Sequence, residues 1–283
     1  MVRRSVLAWV ASMALAVTAF APPASAVVNG TADTGTPARF PYVGTLVIDT
    51  PGGYHYWCSG TMISRDVLLA AGHCFDTDYM GWIFGEGTRI VGVTLNPMVT
   101  SDTGFTDDLE LWGPIYQAAS PDAGVQVPGW PCKHWELDVG AYVLAQDIPD
   151  IGPLPAVPDT VGQLDSMALT GHEATIVGYG MTRDRTGGRT GFSDFVDGIR
   201  KYASDRITGL TPTTVHLLGD IAAGGTGPCG GDSGAPRLVE NADGSQTVVA
   251  ISHDFGPYCQ TPERALRLDT PAIQGFLDSV LDR

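Results

Sequence analysis

Short segments rich in β-branched and aromatic residues recur between Gly, Pro and Asp turns, and their length is what most constrains the fold. They cover residues 42–48, 67–71, 89–95, 139–145, 174–179, 215–218 and 247–252. Each segment is short for a helix and has the length of a strand. The pattern predicts an all-β sandwich or barrel. A Pro-rich stretch at 148–158 interrupts it and is typical of an interdomain linker.

The end of the chain has a different period. Thr270 can cap a helix and Pro271 suits a first helical turn. The apolar residues that follow are spaced i, i+3, i+4, i+7 and i+8, and they are Ile273, Phe276, Leu277, Val280 and Leu281. This spacing predicts one C-terminal amphipathic helix.

The first 26 residues have the features of an export signal. Arg3 and Arg4 precede an almost wholly apolar run at 6–20, and Ala24-Ser25-Ala26 offers a small-x-small cleavage site. A membrane anchor is the alternative, but the apolar run is short for a spanning helix and is followed at once by prolines. We therefore expect residues 1–26 to be a signal peptide and the secreted, extracellular protein to comprise residues 27–283.

The charge of the chain excludes some partners. The formal net charge is −15, and it becomes −17 once the two arginines of the signal are removed. Such a negative chain is not expected to bind nucleic acid. No other segment is long and apolar enough to span a bilayer, so no membrane association is expected after signal removal.

Three separated segments contain the residue types of a single catalytic site. They are Ala70-Ala71-Gly72-His73-Cys74, Leu137-Asp138-Val139-Gly140-Ala141 and Cys229-Gly230-Gly231-Asp232-Ser233-Gly234-Ala235-Pro236. A serine hydroxyl needs a histidine to accept its proton and a carboxylate to orient that histidine. Any one of these segments alone could be an ordinary turn. Together, in the order His73, Asp138, Ser233, they predict a catalytic triad and exclude the orders of the α/β-hydrolases and the subtilisins.

These segments resemble the chymotrypsin/trypsin-like family of serine endopeptidases. The resemblance implies two antiparallel six-stranded β-barrels with the active site between them and a C-terminal α-helix. It divides the chain into a first barrel at about 27–147, a linker at about 148–158, and a second barrel with the helix at about 159–283. Residues 176–180 resemble the motif that opens the second barrel, with Tyr179 where Trp is usual.

One region departs from the family pattern. Residues 96–135 are longer than usual, so we expect an extended surface loop. Its acidic side chains are more typical of a solvated loop than of a calcium site, and they are Asp102, Asp107, Asp108 and Glu110.

The resemblance implies a role for each motif residue. Ser233 is the nucleophile, His73 the general base and Asp138 the group that orients His73. The backbone N–H groups of Gly231 and Ser233 form the oxyanion hole. No cofactor or metal is implied, and the histidines show no metal-ligand spacing.

The resemblance also implies an activation contact and a specificity pocket. The carboxylate of Asp232 binds the α-amine of Val27, which directly follows the predicted cleavage site. The pocket residues are Gly227, Ser252, His253, Asp254 and Glu263. Gly227 stands where an Asp would select Arg or Lys, so an uncharged pocket is expected. We expect Asp254 and Glu263 to face solvent, Glu263 near Arg264 or Arg267; the alternative is that one of the two acids points inward.

Five cysteines in an exported chain indicate disulfides with one thiol left over. The resemblance implies the pairs Cys58–Cys74 and Cys229–Cys259, which leaves Cys132 outside both. The leading hypothesis is a monomeric, secreted serine endopeptidase that acts on peptides or proteins. A catalytically silent, protease-like binding module and an esterase on the same scaffold are the alternatives.

Overall fold

The computed structural model describes residues 27–99, 105–120, 123–129, 135–181, 198–219, 221, 224–253, 259 and 262–281. The strands are β1 (Thr31–Ala32), β2 (Val43–Thr50), β3 (Gly53–Met62), β4 (Val67–Ala70), β5 (Arg89–Thr94), β6 (Phe105–Thr106), β7 (Gly124–Gln126), β8 (Gly140–Val143), β9 (Glu173–Gly178), β10 (Lys201–Leu210), β11 (Thr214–Leu217), β12 (Pro236–Glu240), β13 (Gln246–Ile251) and β14 (Arg264–Arg267). The α-helices are α1 (Thr77–Phe84), α2 (Gln163–Ser166) and α3 (Pro271–Val280), and 3-10 helices span Gly72–Phe75, Leu109–Trp112 and Trp135–Leu137. The predicted signal peptide, Cys132 and Asp254 lie outside the described residues.

The strands form two antiparallel, barrel-like sheets. In the second sheet β9, β10, β11, β14, β13 and β12 pair in a closed circle, and β1 adds to β10. The all-β architecture predicted from the short strands is confirmed, and so are the two barrels that the resemblance implies. All seven predicted strand segments contain a strand, and the C-terminal helix forms as α3. Thr270 is the residue at the helix N-cap but makes no side-chain capping hydrogen bond.

The first sheet differs in detail from the expected six-stranded barrel. Its ladder runs β5-β2-β3-β4-β8-β7, with β6 paired to β3. The gap between the two ends of the ladder is bridged by residues 116–118, through single bridges from Tyr116 to Val93 and from Ala118 to Leu144. This segment belongs to the region rich in Asp, Gly and Pro, residues that interrupt regular strand pairing.

The region 96–135 is also less exposed than expected. Trp112 and Val99 are completely buried, and Val127 is 1% exposed. All three belong to the main apolar cluster, which also contains residues from β2, β3, β4 and α3. The burial of Trp112 corrects the expectation of a loop that only covers the surface. Among the described residues, no helix has the length and hydrophobicity to cross a membrane.

One buried cation connects the two barrels. Arg200, which precedes β10, donates from its guanidinium to the carbonyl oxygens of Val43 at 2.7 Å and Leu95 at 3.0 Å in the first barrel. The same guanidinium donates at 2.9 Å to Asp33, beside β1. The pair is buried, so these hydrogen bonds satisfy charges that would otherwise be costly. The cleft between the barrels therefore has a defined geometry.

Candidate active site

His73 and Asp138 are brought together by strand pairing. In the antiparallel pair of β4 and β8, Ala70 lies opposite Gly140. His73 is three residues after Ala70, and Asp138 is two residues before Gly140. Because the end of one antiparallel strand lies beside the start of its partner, the two side chains meet at the same edge of the sheet.

The Asp138 carboxylate fixes His73 at two points. One oxygen accepts from the His73 backbone N–H at 2.7 Å, and the other contacts Nδ1 of the imidazole at 2.8 Å. Asp138 is fully buried, while 13% of the His73 side chain is exposed. A buried carboxylate in this position selects the tautomer that carries its proton on Nδ1 and leaves Nε2 free to act as a base.

Ser233 lies on a loop that packs against the first barrel. Its carbonyl oxygen accepts from the Ser59 N–H at 2.9 Å and lies 3.9 Å from the sulfur of Cys74, the neighbour of His73. Gly234 has φ +82°, and an added Cβ would lie 2.4 Å from the Ser59 carbonyl oxygen. Only glycine allows this approach. No hydrogen bond joins Ser233 Oγ to His73 within the described part of the chain, which is common in the absence of substrate.

The N–H groups at the predicted oxyanion hole have no acceptor within the described residues. Asp232 and Gly234 donate to the carbonyls of Cys229 at 2.9 Å and Ser252 at 2.7 Å, whereas neither the N–H of Gly231 nor that of Ser233 donates to any described group. Gly231 has φ +95°, a conformation that glycine adopts without strain. Two free donors on one tight turn can bind a developing oxyanion.

Asp232 is buried on the opposite side of the same loop. Its carboxylate accepts from the N–H groups of Gly180 at 2.9 Å and Cys229 at 3.0 Å, and from the backbone N–H of Val27. Burial raises the pKa of Asp232 to about 7, and these hydrogen bonds partly oppose the rise. Val27 is itself fully buried, so the predicted mature N-terminus lies inside the protein at this carboxylate.

Both predicted disulfides are present. Cys58–Cys74 ties β3 to the 3-10 helix that carries His73, and Cys229–Cys259 anchors the start of the Ser233 loop. The cysteine sulfurs of the first pair lie near the His73 imidazole. Sulfurs joined in a disulfide are not thiolate ligands, so this cluster is not a metal site.

Two of the predicted pocket residues, Gly227 and Ser252, lie close to the Ser233 loop, and the Ser252 carbonyl accepts from the Gly234 N–H at 2.7 Å. The Gly227 carbonyl accepts from Val28 N–H at 3.0 Å, and an added Cβ at Gly227 would lie 2.9 Å from the Ile221 side chain. His253 lies closer to the triad than the pocket prediction implied, because its Nδ1 is 3.9 Å from an Asp138 oxygen.

The expectation for Glu263 is wrong. Glu263 is 1% exposed, and its carboxylate pairs with Arg237 of β12 rather than with Arg264 or Arg267. Both side chains of the pair are completely buried. Arg267 instead contacts Asp269 at 2.7 Å. The physical reason is topological: β12 and β14 both pair with β13, which brings together two charges 26 positions apart in the chain.

Two residues near the site had no sequence signal. Tyr79 of α1 contacts the His73 ring edge-on with a centroid distance of 5.7 Å. The buried Ser59 hydroxyl donates to the Gly231 carbonyl at 3.0 Å. Neither belongs to a motif, and α1 was not predicted. A single serine in a strand is too common to stand out.

Comparisons with known proteins bear on the family and the fold. The family model described as Trypsin matches residues 28–100. Human heparin-binding protein has the same fold, with 18% identity, a TM-score of 0.59, and coverage of 91% of this chain and 97% of that chain. A mutant of that human protein gives 17% identity, a TM-score of 0.60 and the same coverage. At these identities the similarity to solved structures demonstrates the fold.

Proposed function

We propose that the chain is a serine endopeptidase of the chymotrypsin/trypsin-like family, a proposal supported by its fold and by the match of residues 28–100 to the Trypsin family model. The observation that carries the proposal is the 2.8 Å contact between His73 and the buried Asp138. Beside it lies the Ser233 loop, in which two backbone N–H groups donate to no described residue. This set of residues provides what acyl transfer requires: a nucleophile, a general base, a carboxylate that orients the base, and N–H donors for the oxyanion.

In the proposed reaction Ser233 Oγ attacks the carbonyl carbon of the scissile peptide bond while His73 Nε2 takes the hydroxyl proton. The imidazolium, stabilised by Asp138, then gives this proton to the leaving amine as the C–N bond breaks. An acyl-enzyme remains on Ser233. Water, deprotonated by His73, attacks the ester and releases the carboxylic acid product.

The oxyanion of each tetrahedral intermediate is proposed to accept from the N–H groups of Gly231 and Ser233. The loss of one such donor costs roughly 3–4 kcal/mol of transition-state stabilisation in a comparable site. The geometry of this loop is therefore expected to contribute to the rate in addition to the triad.

We propose that export and activation are one event. Cleavage after Ala26 would release the α-amine of Val27, whose nitrogen already donates to Asp232. A free ammonium at this position offsets the cost of the buried carboxylate. Secretion also accounts for two disulfides in a small β protein. The substrates are proposed to be peptides or proteins, and the mature enzyme a monomer.

The specificity pocket is proposed to be uncharged. Gly227 contributes no side chain, and the partly buried Ile221 packs beside it. The Glu263 charge is already compensated by Arg237, so it does not require a cationic substrate. Apolar or small residues before the cleaved bond are expected to be preferred.

The test is active-site labelling of the chain that begins at Val27. A fluorophosphonate probe should label Ser233, and Ser233→Ala should lose labelling and at least about 10³-fold of the peptide-amide kcat. Ser64→Ala is the control, because Ser64 donates to Asp66 away from the loop. The proposal fails if wild-type protein is not labelled, or if Ser233→Ala keeps more than a trace of amidase activity.

A binding module is the second candidate, since the similar solved structures include a heparin-binding protein. Heparin is a polyanion, and a chain with net charge −15 would repel it. A fold that is stable and binds a partner but gives no labelling would favour this candidate. Ester hydrolysis without peptide-amide hydrolysis would favour an esterase.

A further inference from the structure

We propose that Ser59 is a positioning residue for the oxyanion hole, and that its hydroxyl, by holding the Gly231 carbonyl, fixes the backbone turn that presents the N–H groups of Gly231 and Ser233. Ser59 is in the first barrel, whereas Gly231 belongs to the second. This inference rests on the proposed endopeptidase function and adds to it a residue that no sequence motif indicates.

The Ser59 hydroxyl both donates to and accepts from the backbone of the second barrel. Its Oγ donates to the Gly231 carbonyl at 3.0 Å and accepts from the Tyr179 N–H at 2.9 Å. The direction of each bond is unambiguous because a carbonyl can only accept and an amide N–H can only donate. Ser59 is completely buried, so water does not substitute for either partner.

The Ser59 backbone holds the same loop at a second point. Its N–H donates to the Ser233 carbonyl at 2.9 Å. One residue thus contacts the carbonyls of Gly231 and Ser233, whose N–H groups are the two proposed oxyanion donors. A glycine at φ +95° has a wide choice of ψ, and the hydroxyl bond to its carbonyl limits that choice.

A β-bulge accounts for the orientation of Ser59. Thr45 lies opposite Ser59 and Leu46 lies opposite Trp57, so Cys58 is the extra residue in β3. Cys58 has φ +58°, and its carbonyl accepts from Thr45 Oγ1 at 2.6 Å. Bulges of this kind redirect the neighbouring side chain. Here the side chain points to the other barrel, and the Cys58–Cys74 disulfide braces the bulge.

The experiment measures Ser59→Ala, Ser59→Thr and the control Ser64→Ala in the chain beginning at Val27, with concentrations set by active-site titration. Ser59→Gly replaces Ser59→Ala as the variant without a hydroxyl if Ser59→Ala does not fold. Ser59→Ala should lower kcat for a peptide amide about tenfold or more, with KM changed less than threefold. Its affinity for a peptide boronic acid, which mimics the tetrahedral intermediate, should fall by a similar factor. Ser59→Thr retains the hydroxyl and should recover most of kcat.

The outcomes separate the two proposals. If wild type and Ser64→Ala are unlabelled and inactive, the endopeptidase assignment fails. If they are active while Ser59→Ala keeps kcat and boronate affinity within twofold of wild type, the role of Ser59 is overturned. It is also overturned if neither Ser59→Ala nor Ser59→Gly yields folded protein, because the hydroxyl is then required for folding as a whole.

Discussion

At the scale of single residues, Gly234 determines how closely the nucleophile loop approaches the first barrel. Its backbone lies against the Ser59 carbonyl and against Ala71, two residues before His73. A side chain here would push the loop away from the base that Ser233 is proposed to use. Reactions of this type are sensitive to displacements of about 1 Å.

Gly234→Ala should therefore be inactive as well as less stable. The added Cβ would meet three backbone atoms closer than 3.0 Å, in addition to the strain of φ +82°. Overpacking and a positive φ together cost about 3 kcal/mol or more. Urea unfolding and kcat/KM for a peptide amide test this.

Gly244→Ala is the matched control. Gly244 has φ +83°, and its added Cβ meets nothing within 4 Å. It should lose only about 1–2 kcal/mol for the backbone strain and keep full activity. Equal activity losses in both variants would show that φ, rather than the contact with the first barrel, matters at Gly234.

At the scale of secondary-structure elements, three adjacent strands create a buried ion pair. β13 lies between β12 and β14, and Arg237 and Glu263 meet across it. Burial is the main reason that the pKa of Arg237 is lowered, to about 10, while the charges of Asp205 and Asp232 act in the opposite direction. The guanidinium thus stays cationic at neutral pH and neutralises Glu263.

Arg237→Met should destabilise the fold by about 3–5 kcal/mol, because a buried carboxylate loses its partner. Arg237→Met with Glu263→Gln should regain much of this loss. Urea denaturation of the two variants and wild type measures the difference. A double variant as unstable as the single one would contradict the pairing.

Peptide-library cleavage by wild type and Glu263→Gln tests the consequence for specificity. Neither enzyme should select Arg or Lys before the cleaved bond. Strong Arg or Lys selection that disappears in Glu263→Gln would mean that Glu263 faces the substrate.

At the scale of the whole molecule, the ends of the chain support elements distant in sequence. β1, the first strand, pairs with β10 of the second barrel, and α3 contributes Ile273, Phe276 and Leu277 to the cluster that fills the first barrel. Just before β1, Val27 reaches Asp232 beneath the Ser233 loop. We therefore expect release of the Val27 amine to affect the structure of the proposed active site.

Stability should depend on pH differently before and after the N-terminus is released. A buried carboxyl with a raised pKa favours the protonated native state. The protonated Asp232 contributes its full stabilisation below pH 3.8, which is the ordinary pKa of an aspartate. This stabilisation is lost as the pH rises to about 7. With Val27 in a peptide bond, wild type should lose roughly 4 kcal/mol relative to its Asp232→Asn variant between pH 4 and pH 8.

The chain that begins at Val27 should lose less over the same range, because its free ammonium stabilises the ionised carboxylate. Urea unfolding of both chain lengths, with and without Asp232→Asn, gives the comparison. The same pH dependence for both lengths would contradict a role for the Val27 amine.

Local patterns in the sequence were sufficient for the all-β class and for the proposed triad, and the resemblance that the triad segments carry supplied the two barrels. Alternating short segments and turn residues predicted the strands, and the i, i+3, i+4 spacing predicted α3. His73, Asp138 and Ser233 stood out because their chemistry requires particular neighbours. Both disulfides were predicted from the resemblance that these motifs carry.

Only the tertiary structure determined which side chains and backbone groups the residues outside the motifs contact. Glu263 pairs with Arg237, Ser59 donates to Gly231, and Trp112 is buried in the core. Arg237, Ser59 and Trp112 lie outside every motif that the sequence offered. Helix and strand periods depend on neighbours within a few positions and can be read directly. Which side chains meet across a sheet or between barrels depends on strand order, register and a bulge at Cys58, and these emerge only when distant segments pack together.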